Sequence, residues 1–94
     1  MAVPYYQGDI VPIEFQTKYG GTGITATYAY VNIKDPHNKI TEMDDANIDT
    51  STITFNVPST MTETVGHYEV EFRLGMPYGE RTHFRYYDIR PNLT

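Results

Sequence analysis

The chain has 94 residues, a net charge of −5 and no cysteine, which fits one small domain over residues 1–94 and excludes disulfides and thiolate metal sites. The acidic balance argues against nucleic acid as a partner, because neutralising phosphates needs a basic patch. No apolar run approaches the roughly 20 residues that span a bilayer, and the start "MAVPYYQGD" lacks the basic and apolar regions of a signal peptide, so we expect neither membrane insertion nor a secretory signal.

Alternation of apolar and polar residues, the period of a β-strand, recurs along the chain, and no amphipathic helix is predicted. The first strand lies in "GDIVPIEFQ", where Val11, Ile13 and Phe15 share one face. Pro12 cannot donate to a strand ladder, so this strand is predicted to lie at a sheet edge or to carry a bulge. The loop "KYGGTG" follows, with three glycines that can take positive φ.

The next segment, "ITATYAYVNIKDP", predicts a longer strand. Its residues Ala29, Val31 and Ile33 face one way, while Tyr28 and Tyr30 face the other. "DPHN" is predicted to form a type I turn, and "KITEM" a short strand beyond it.

Two further stretches complete the predicted fold. "ANIDTSTITFNVP" is predicted as one strand with Ile53, Phe55 and Val57 at period two. The strands at 67–75 and 81–89 then form a hairpin. The sequence therefore predicts an all-β protein, an antiparallel immunoglobulin-like β-sandwich of about seven strands without a disulfide.

The register of the final hairpin decides which side chains face the core. The predicted loop runs over Met76, Pro77, Tyr78 and Gly79. Four cross-strand pairs are predicted, two on the core face and two on the outer face: Phe72–Phe84 and Val70–Tyr86, then Glu71–Arg85 and Glu69–Tyr87.

The stretch "TVGHYEV" resembles the tyrosine corner of immunoglobulin-like domains, in which a tyrosine hydroxyl binds upstream backbone at the start of the sixth strand. Gly66 and Tyr68 match that pattern, whereas Thr64 and Val70 stand where antibody domains have an acid and a cysteine. The resemblance implies a disulfide-free domain in which Tyr68 is buried and bound to backbone within residues 60–66. The alternative is that Tyr68 stacks on a ligand in an open groove.

A broader resemblance rests on "YYQGDIVPIEFQ", "YVNIKDPHNKI", "VGHYEVEFRL" and "YYDIRP". These segments are similar to immunoglobulin-like modules of tailed-phage virions, found in baseplate, head-decoration and fibre proteins. The resemblance implies a structural or adhesion role in a virion that is made in the host cytoplasm. The partners that it implies are other virion proteins or a host-surface glycan, with a homo-oligomer within a larger assembly as one arrangement.

The residue types that carry chemistry are scattered, and no cofactor is predicted. Three histidines lie far apart in the sequence, where zinc needs three or four converging ligands: His37, His67 and His83. Three aspartates lack the spacing of a calcium loop and are interpreted as a solvated acidic segment: Asp44, Asp45 and Asp49.

Catalytic pairs are also not indicated, so the protein is not expected to be an enzyme. Ser51 and Ser59 have no neighbouring histidine in the sequence. Glu69 and Glu71 lie on one strand face opposite basic residues, which is typical of a surface salt-bridge ladder rather than of a glycosidase cleft.

Exposed aromatic residues are the remaining functional signal. Seven tyrosines cannot all lie in the core of so small a domain: Tyr5, Tyr6, Tyr19, Tyr28, Tyr30, Tyr78 and Tyr87. Either Tyr28 and Tyr30 cover the outer sheet and the rest are scattered, or some of the seven bind a partner, since tyrosine is favoured at protein interfaces and also stacks on sugar rings. The candidate contact residues are Met76, Pro77, Tyr78 and Tyr87. The favoured hypothesis is a non-catalytic structural or adhesion module of a phage particle, and the alternative is a carbohydrate-binding module of a larger bacterial surface protein.

Overall fold

The computed structural model of the protein describes residues 4–92; the first three and last two residues of the predicted domain, including the beginning of "MAVPYYQGD", lie outside this range. The described residues form ten strands: β1 (Tyr5–Tyr6), β2 (Val11–Gln16), β3 (Lys18–Tyr19), β4 (Thr22–Gly23), β5 (Ala29–Lys34), β6 (Ile40–Glu42), β7 (Asn47–Asp49), β8 (Thr52–Val57), β9 (Gly66–Met76) and β10 (Gly79–Arg90). One 3₁₀ turn, Ser59–Met61, joins β8 to β9. None of the described residues forms a helix that is long and apolar enough to cross a membrane.

Two sheets form the sandwich. The larger sheet has the order β1-β10-β9-β5-β6, the smaller sheet has the order β2-β8-β7, and β3 and β4 form a separate ladder beyond β2. All pairings are antiparallel except that of β1 with β10, which is parallel. The all-β, antiparallel prediction is therefore confirmed, and β2, which carries Pro12, lies at a sheet edge as predicted.

The core lies between the two sheets and draws on the inward residues of both. Its members come from alternate positions of the longer strands, which is why the period-two pattern was readable: Val11, Ile13, Ala29, Val31, Ile33, Ile53, Phe55, Val57, Tyr68, Val70, Phe72, Leu74, Tyr87 and Ile89. Phe72 lies at the centre, with edge-on contacts to Phe15 at 5.0 Å and to Phe55 at 6.1 Å between ring centroids.

The strand arrangement corresponds to that of an immunoglobulin-like sandwich. Strands β2, β8 and β7 take the places of B, E and D, while β10, β9, β5 and β6 take those of G, F, C and C′. The departure is β1, which lies parallel beside β10 rather than at the edge of the smaller sheet.

The predicted single strand over "ANIDTSTITFNVP" is wrong, because the chain turns back on itself there. β7 pairs with β8 in antiparallel register, Ile48 opposite Ile53. Thr50 has φ of 52°, in the left-handed region that a tight turn requires. The period-two pattern of β8 was correct, but the polar turn residues were mistaken for a strand interior.

The predicted register of the final hairpin is wrong by one residue. Met76 pairs with Gly79 across a two-residue loop, so Phe72 lies opposite His83 rather than Phe84. All four predicted pairs are displaced in this way, and the ion pair between Glu71 and Arg85 does not form: Glu71 faces Phe84 across the ladder.

The shifted register reverses the faces of β10. Phe84 and Tyr86, predicted as core residues, lie on the outer face with 43% and 58% exposure, and Tyr87 and Ile89 take the core positions. The actual register does not bury charge. The inward-facing side chains of β10 that lie nearest the hairpin loop are at a side of the sandwich that is open to solvent. Arg85 is exposed there and its Nη2 donates to the carbonyl of Glu14 at 3.1 Å.

The tyrosine corner is present. Tyr68 is buried, and its hydroxyl donates to the carbonyl of Thr64 at 2.7 Å, within the segment where the acceptor was predicted. Gly66 takes φ of 140°, a conformation that side chains rarely adopt, and a Cβ there would lie 2.7 Å from Pro36. Gly66 is thus required both by its backbone and by its neighbour.

Candidate functional site

The tip of the β9–β10 hairpin carries an exposed aromatic pair. Tyr78 and Tyr19 are 42% and 65% exposed, and their ring centroids lie 5.0 Å apart. Pro77 beside them is also exposed. We call Tyr19, Pro77 and Tyr78 the tip patch.

The tip patch is held by two hairpins from different parts of the chain. Tyr19 belongs to the β3–β4 ladder, whose base is fixed by Thr17: its hydroxyl donates to the carbonyls of Ile24 and Ser51. On the other side, the guanidinium of Arg81 lies over the Tyr78 ring, 5.1 Å from its centroid. The rings are therefore positioned before any partner arrives, which lowers the entropic cost of binding.

Two of the four predicted contact residues are not accessible. Met76 is a buried member of the core, and Tyr87 is buried with its hydroxyl donating to the carbonyl of Met61 at 2.9 Å. Both lie on the inward face of the hairpin: Met76 continues the alternation of β9, and Tyr87 faces inward because of the actual register of β10. Pro77 and Tyr78 are exposed, and the sequence did not predict that Tyr19 joins them.

A second aromatic pair lies on the outer face of the larger sheet. Tyr28 and Tyr30 stack with centroids 4.5 Å apart. The hydroxyl of Tyr28 donates to Glu80 at 2.6 Å, and Glu80 also accepts from Arg73 at 3.0 Å. These two bonds, from Tyr28 first and then Arg73, lower the pKa of the Glu80 carboxyl, and the bond to Glu80 raises the pKa of Tyr28.

The Tyr28 ring is seated on backbone. A Cβ built on Gly75 would lie 2.2 Å from the ring, and the backbone N–H of Gly75 donates to the Tyr28 carbonyl at 3.1 Å. Tyr28 and Tyr30 therefore cover the outer face of the larger sheet, which is one of the two interpretations that the sequence left open. Tyr30 itself is exposed.

A polar groove with an aromatic side lies at the opposite end of the same sheet face. It encloses about 310 Å³, and its lining combines Tyr86 with charged and amide side chains: Lys34, Asp35, Asn38, His67 and Glu69. Tyr86 stacks on His67 with planes 13° apart and centroids 5.5 Å apart. We call this cavity the Tyr86 groove.

The predicted "DPHN" turn forms one wall of the Tyr86 groove. The carboxylate of Asp35 accepts from the backbone N–H groups of His37 at 2.8 Å and Lys39 at 2.9 Å. Asn38 takes φ of 67°, in the left-handed region that asparagine tolerates. Opposite, Lys34 and Glu69 form an ion pair at 3.4 Å.

The histidines do not come together. His67 pairs with Asp88 at 2.7 Å on the outer face, whereas His83 lies on the inner side of β10 against Phe15, with centroids 4.2 Å apart. Burial and then the nearby charge of Arg85 lower the pKa of His83, so its imidazole is neutral at pH 7. Within residues 4–92, no group of three or more histidine, aspartate or glutamate side chains is placed to hold a metal ion.

The domain that carries these surfaces is a β-sandwich with the strand arrangement of immunoglobulin-like domains. No protein-family model matches the chain, and the comparison with curated proteins gives no match.

Proposed function

We propose that this domain is a non-catalytic structural or adhesion module that docks to another protein through the tip patch. The observation that carries the proposal is the exposure of two adjacent tyrosine rings, Tyr19 and Tyr78, beside Pro77. Tyrosine and arginine are enriched where interfaces derive their binding energy, and Arg81 adjoins the patch. The resemblance to tailed-phage modules suggests a virion, whether baseplate, head decoration or fibre, as the assembly.

The experiment uses defined partners. The products of neighbouring genes are purified separately and mixed with this protein, and complexes are detected by native mass spectrometry. We expect one of them to form a complex that the double variant Tyr19→Ser, Tyr78→Ser loses. Tyr30→Ser is the matched control, because Tyr30 is an exposed tyrosine outside the patch. A complex that survives the double variant, or that no neighbouring product forms, would contradict the proposal.

The Tyr86 groove supports a second candidate, a carbohydrate-binding module. An exposed aromatic face can stack on a sugar ring, and the lysine, asparagine and acidic side chains around Tyr86 can bind its hydroxyls. A glycan array tests it: binding that Tyr86→Ala abolishes and Tyr30→Ala leaves intact supports the candidate. Binding that is unaffected by Tyr86→Ala, or no binding at all, counts against it.

A further inference from the structure

Strand β10 has an open backbone edge. On one side it pairs with β9 from Gly79 to Ile89, but on the other side it meets only β1, at Ile89 and Arg90. Among residues 4–92, nothing pairs with the segment 79–88 on that side. An edge of this length is a template for a further strand, and proteins usually shorten or cover such edges.

The direction of the backbone groups follows from the ladder. The carbonyl of Arg90 accepts from the N–H of Gln7 at 3.2 Å, so at this position the backbone points away from β9. In an antiparallel ladder this direction alternates from residue to residue. Hence every second residue up to the start of the β1 pairing offers an N–H and a carbonyl to the open edge: Glu80, Thr82, Phe84 and Tyr86.

Two arginines flank this edge on its inner side, with the neutral His83 between them. By the same alternation that places Tyr87 in the core, Arg81, His83 and Arg85 form a row facing the smaller sheet. If two copies of the protein paired through their β10 edges in antiparallel register, Arg81 and Arg85 of one copy would lie opposite the same row of the other copy. Like charges directly opposite destabilise a sheet, so the row disfavours a second copy as the occupant.

A cleft beside the edge has the matching chemistry. It encloses about 180 Å³ between β10 and the end of β2, and Leu74, Met76 and Phe15 contribute its apolar surface. Its charged lining residues are Lys18 and Arg81, with no carboxylate, although the chain as a whole carries a charge of −5. This local excess of positive charge selects an acidic occupant.

We propose that the open edge of β10 binds an extended acidic segment of another protein, which adds a strand to the larger sheet by β-augmentation. Opposite Arg81 and Arg85 the segment carries carboxylates, and opposite His83 it carries an apolar residue that packs towards Phe15. Main-chain bonds to the outward groups supply affinity, and the alternating acid–apolar–acid pattern supplies specificity. The cleft borders the tip patch at Tyr78 and Arg81, but strand addition requires neither the Tyr19 ring nor the Tyr78 ring, so the double variant Tyr19→Ser, Tyr78→Ser distinguishes this proposal from docking through the tip patch.

A synthetic heptapeptide tests the proposal: Thr-Glu-Thr-Val-Thr-Glu-Thr, blocked at both ends, with the Glu→Lys version as control. Its pattern reads the same in both directions, so the orientation of the added strand does not matter. We expect the acidic peptide to slow hydrogen exchange at the outward amides of Thr82 and Phe84, measured by NMR. The lysine peptide has no such effect.

Two pairs of variants separate strand addition from general charge attraction. Arg81→Glu weakens binding about tenfold or more, as loss of a charged hydrogen bond predicts. Arg90→Glu makes the same change in charge outside the cleft and does not weaken binding. Thr82→Pro removes one outward N–H at an edge where proline is tolerated and abolishes binding, while Thr82→Ala retains it.

Three results would overturn the proposal. The first is peptide binding without protection of Thr82 and Phe84, and the second is equal binding by Thr82→Pro and Thr82→Ala when thermal unfolding shows both to be folded. The third is protection of the same amides by the protein alone at rising concentration, which would make a second copy the occupant.

Discussion

The rings of Tyr68 and Tyr87 stack across β9 and β10, with centroids 4.6 Å apart and planes 10° apart. Their hydroxyls donate to two carbonyls of the same connection between β8 and β9, those of Thr64 and Met61. The corner of this sandwich is therefore fixed by two buried tyrosines on adjacent strands. Because the domain has no disulfide, this double anchor holds the connection against the larger sheet.

The first prediction concerns the hydroxyl of Tyr68. Tyr68→Phe keeps the ring stack and removes the bond to Thr64, so we expect a loss of about 1–2 kcal/mol in the free energy of unfolding. Denaturant unfolding measures it. Tyr30→Phe, at an exposed position, is the control and should leave the midpoint unchanged; an unchanged midpoint for Tyr68→Phe would show that the bond is not stabilising.

The second prediction concerns alkaline pH. Burial, and then the neighbouring Tyr68, raise the pKa of Tyr87 above the ordinary tyrosine value. A raised pKa in the folded state stabilises the fold fully below about pH 10, the unfolded value, and this contribution is lost as the pH rises further towards the folded value. Tyr87→Phe cannot ionise, so its stability should fall less steeply above about pH 10 than that of the parent protein.

Measurement of unfolding free energy at several alkaline pH values tests this. The pKa of Tyr28 is raised as well, by its bond to Glu80, so Tyr28→Phe is measured alongside to separate the two contributions. A Tyr87→Phe slope identical to that of the parent protein would contradict the buried ionisation.

The third prediction concerns Gly75 under the Tyr28 ring. Gly75→Ala places a Cβ about where the ring now lies, 2.2 Å from its nearest atom, and should cost about 1–3 kcal/mol through overpacking. Combining it with Tyr28→Ala, which removes the ring, should restore part of the loss. A double-mutant cycle measures the coupling between the two sites, and strictly additive effects would exclude the clash.

The fourth prediction concerns salt. Among the described residues, two ion pairs lie at the surface, Lys34–Glu69 and Arg73–Glu80, and His67 forms a surface hydrogen bond with Asp88. Exposed pairs of this kind contribute little to stability and are screened by salt. The denaturation midpoint in urea should therefore change little between low and high sodium chloride, whereas a large loss would reveal a stabilising network of charges.

The sheets were predictable from the sequence because their inward residues alternate cleanly. In β5 and β8, apolar residues such as Val31 and Phe55 are separated by polar or tyrosine residues, so only one face could be buried. The proposed site for an acidic peptide was not predictable, since it depends on which face of β10 turns inward.

The buried face of β10 was predicted wrongly because the sequence pattern of this strand is compatible with either face being buried. Tyr86 and Tyr87 are adjacent, so either one can begin an alternating apolar series, and Phe84 favours the wrong one. Tyr87 and Ile89 are the pair that the fold buries, because the two-residue loop between Met76 and Gly79 fixes the register. The predicted register, in which Phe72 lies opposite Phe84, shifts every side chain of β10 to the other face.

The parallel pairing of β1 with β10 has a consequence for the order of folding. It joins Tyr5 to Ile89, residues at nearly opposite ends of the described chain, whereas β9 and β10 meet across two residues. Closing so long a loop carries a larger entropic cost than closing a hairpin, so we expect β1 to dock last. Until it does, Ile89 and Arg90 also lack a partner strand, and β1 of one newly made chain can pair with this end of β10 in another.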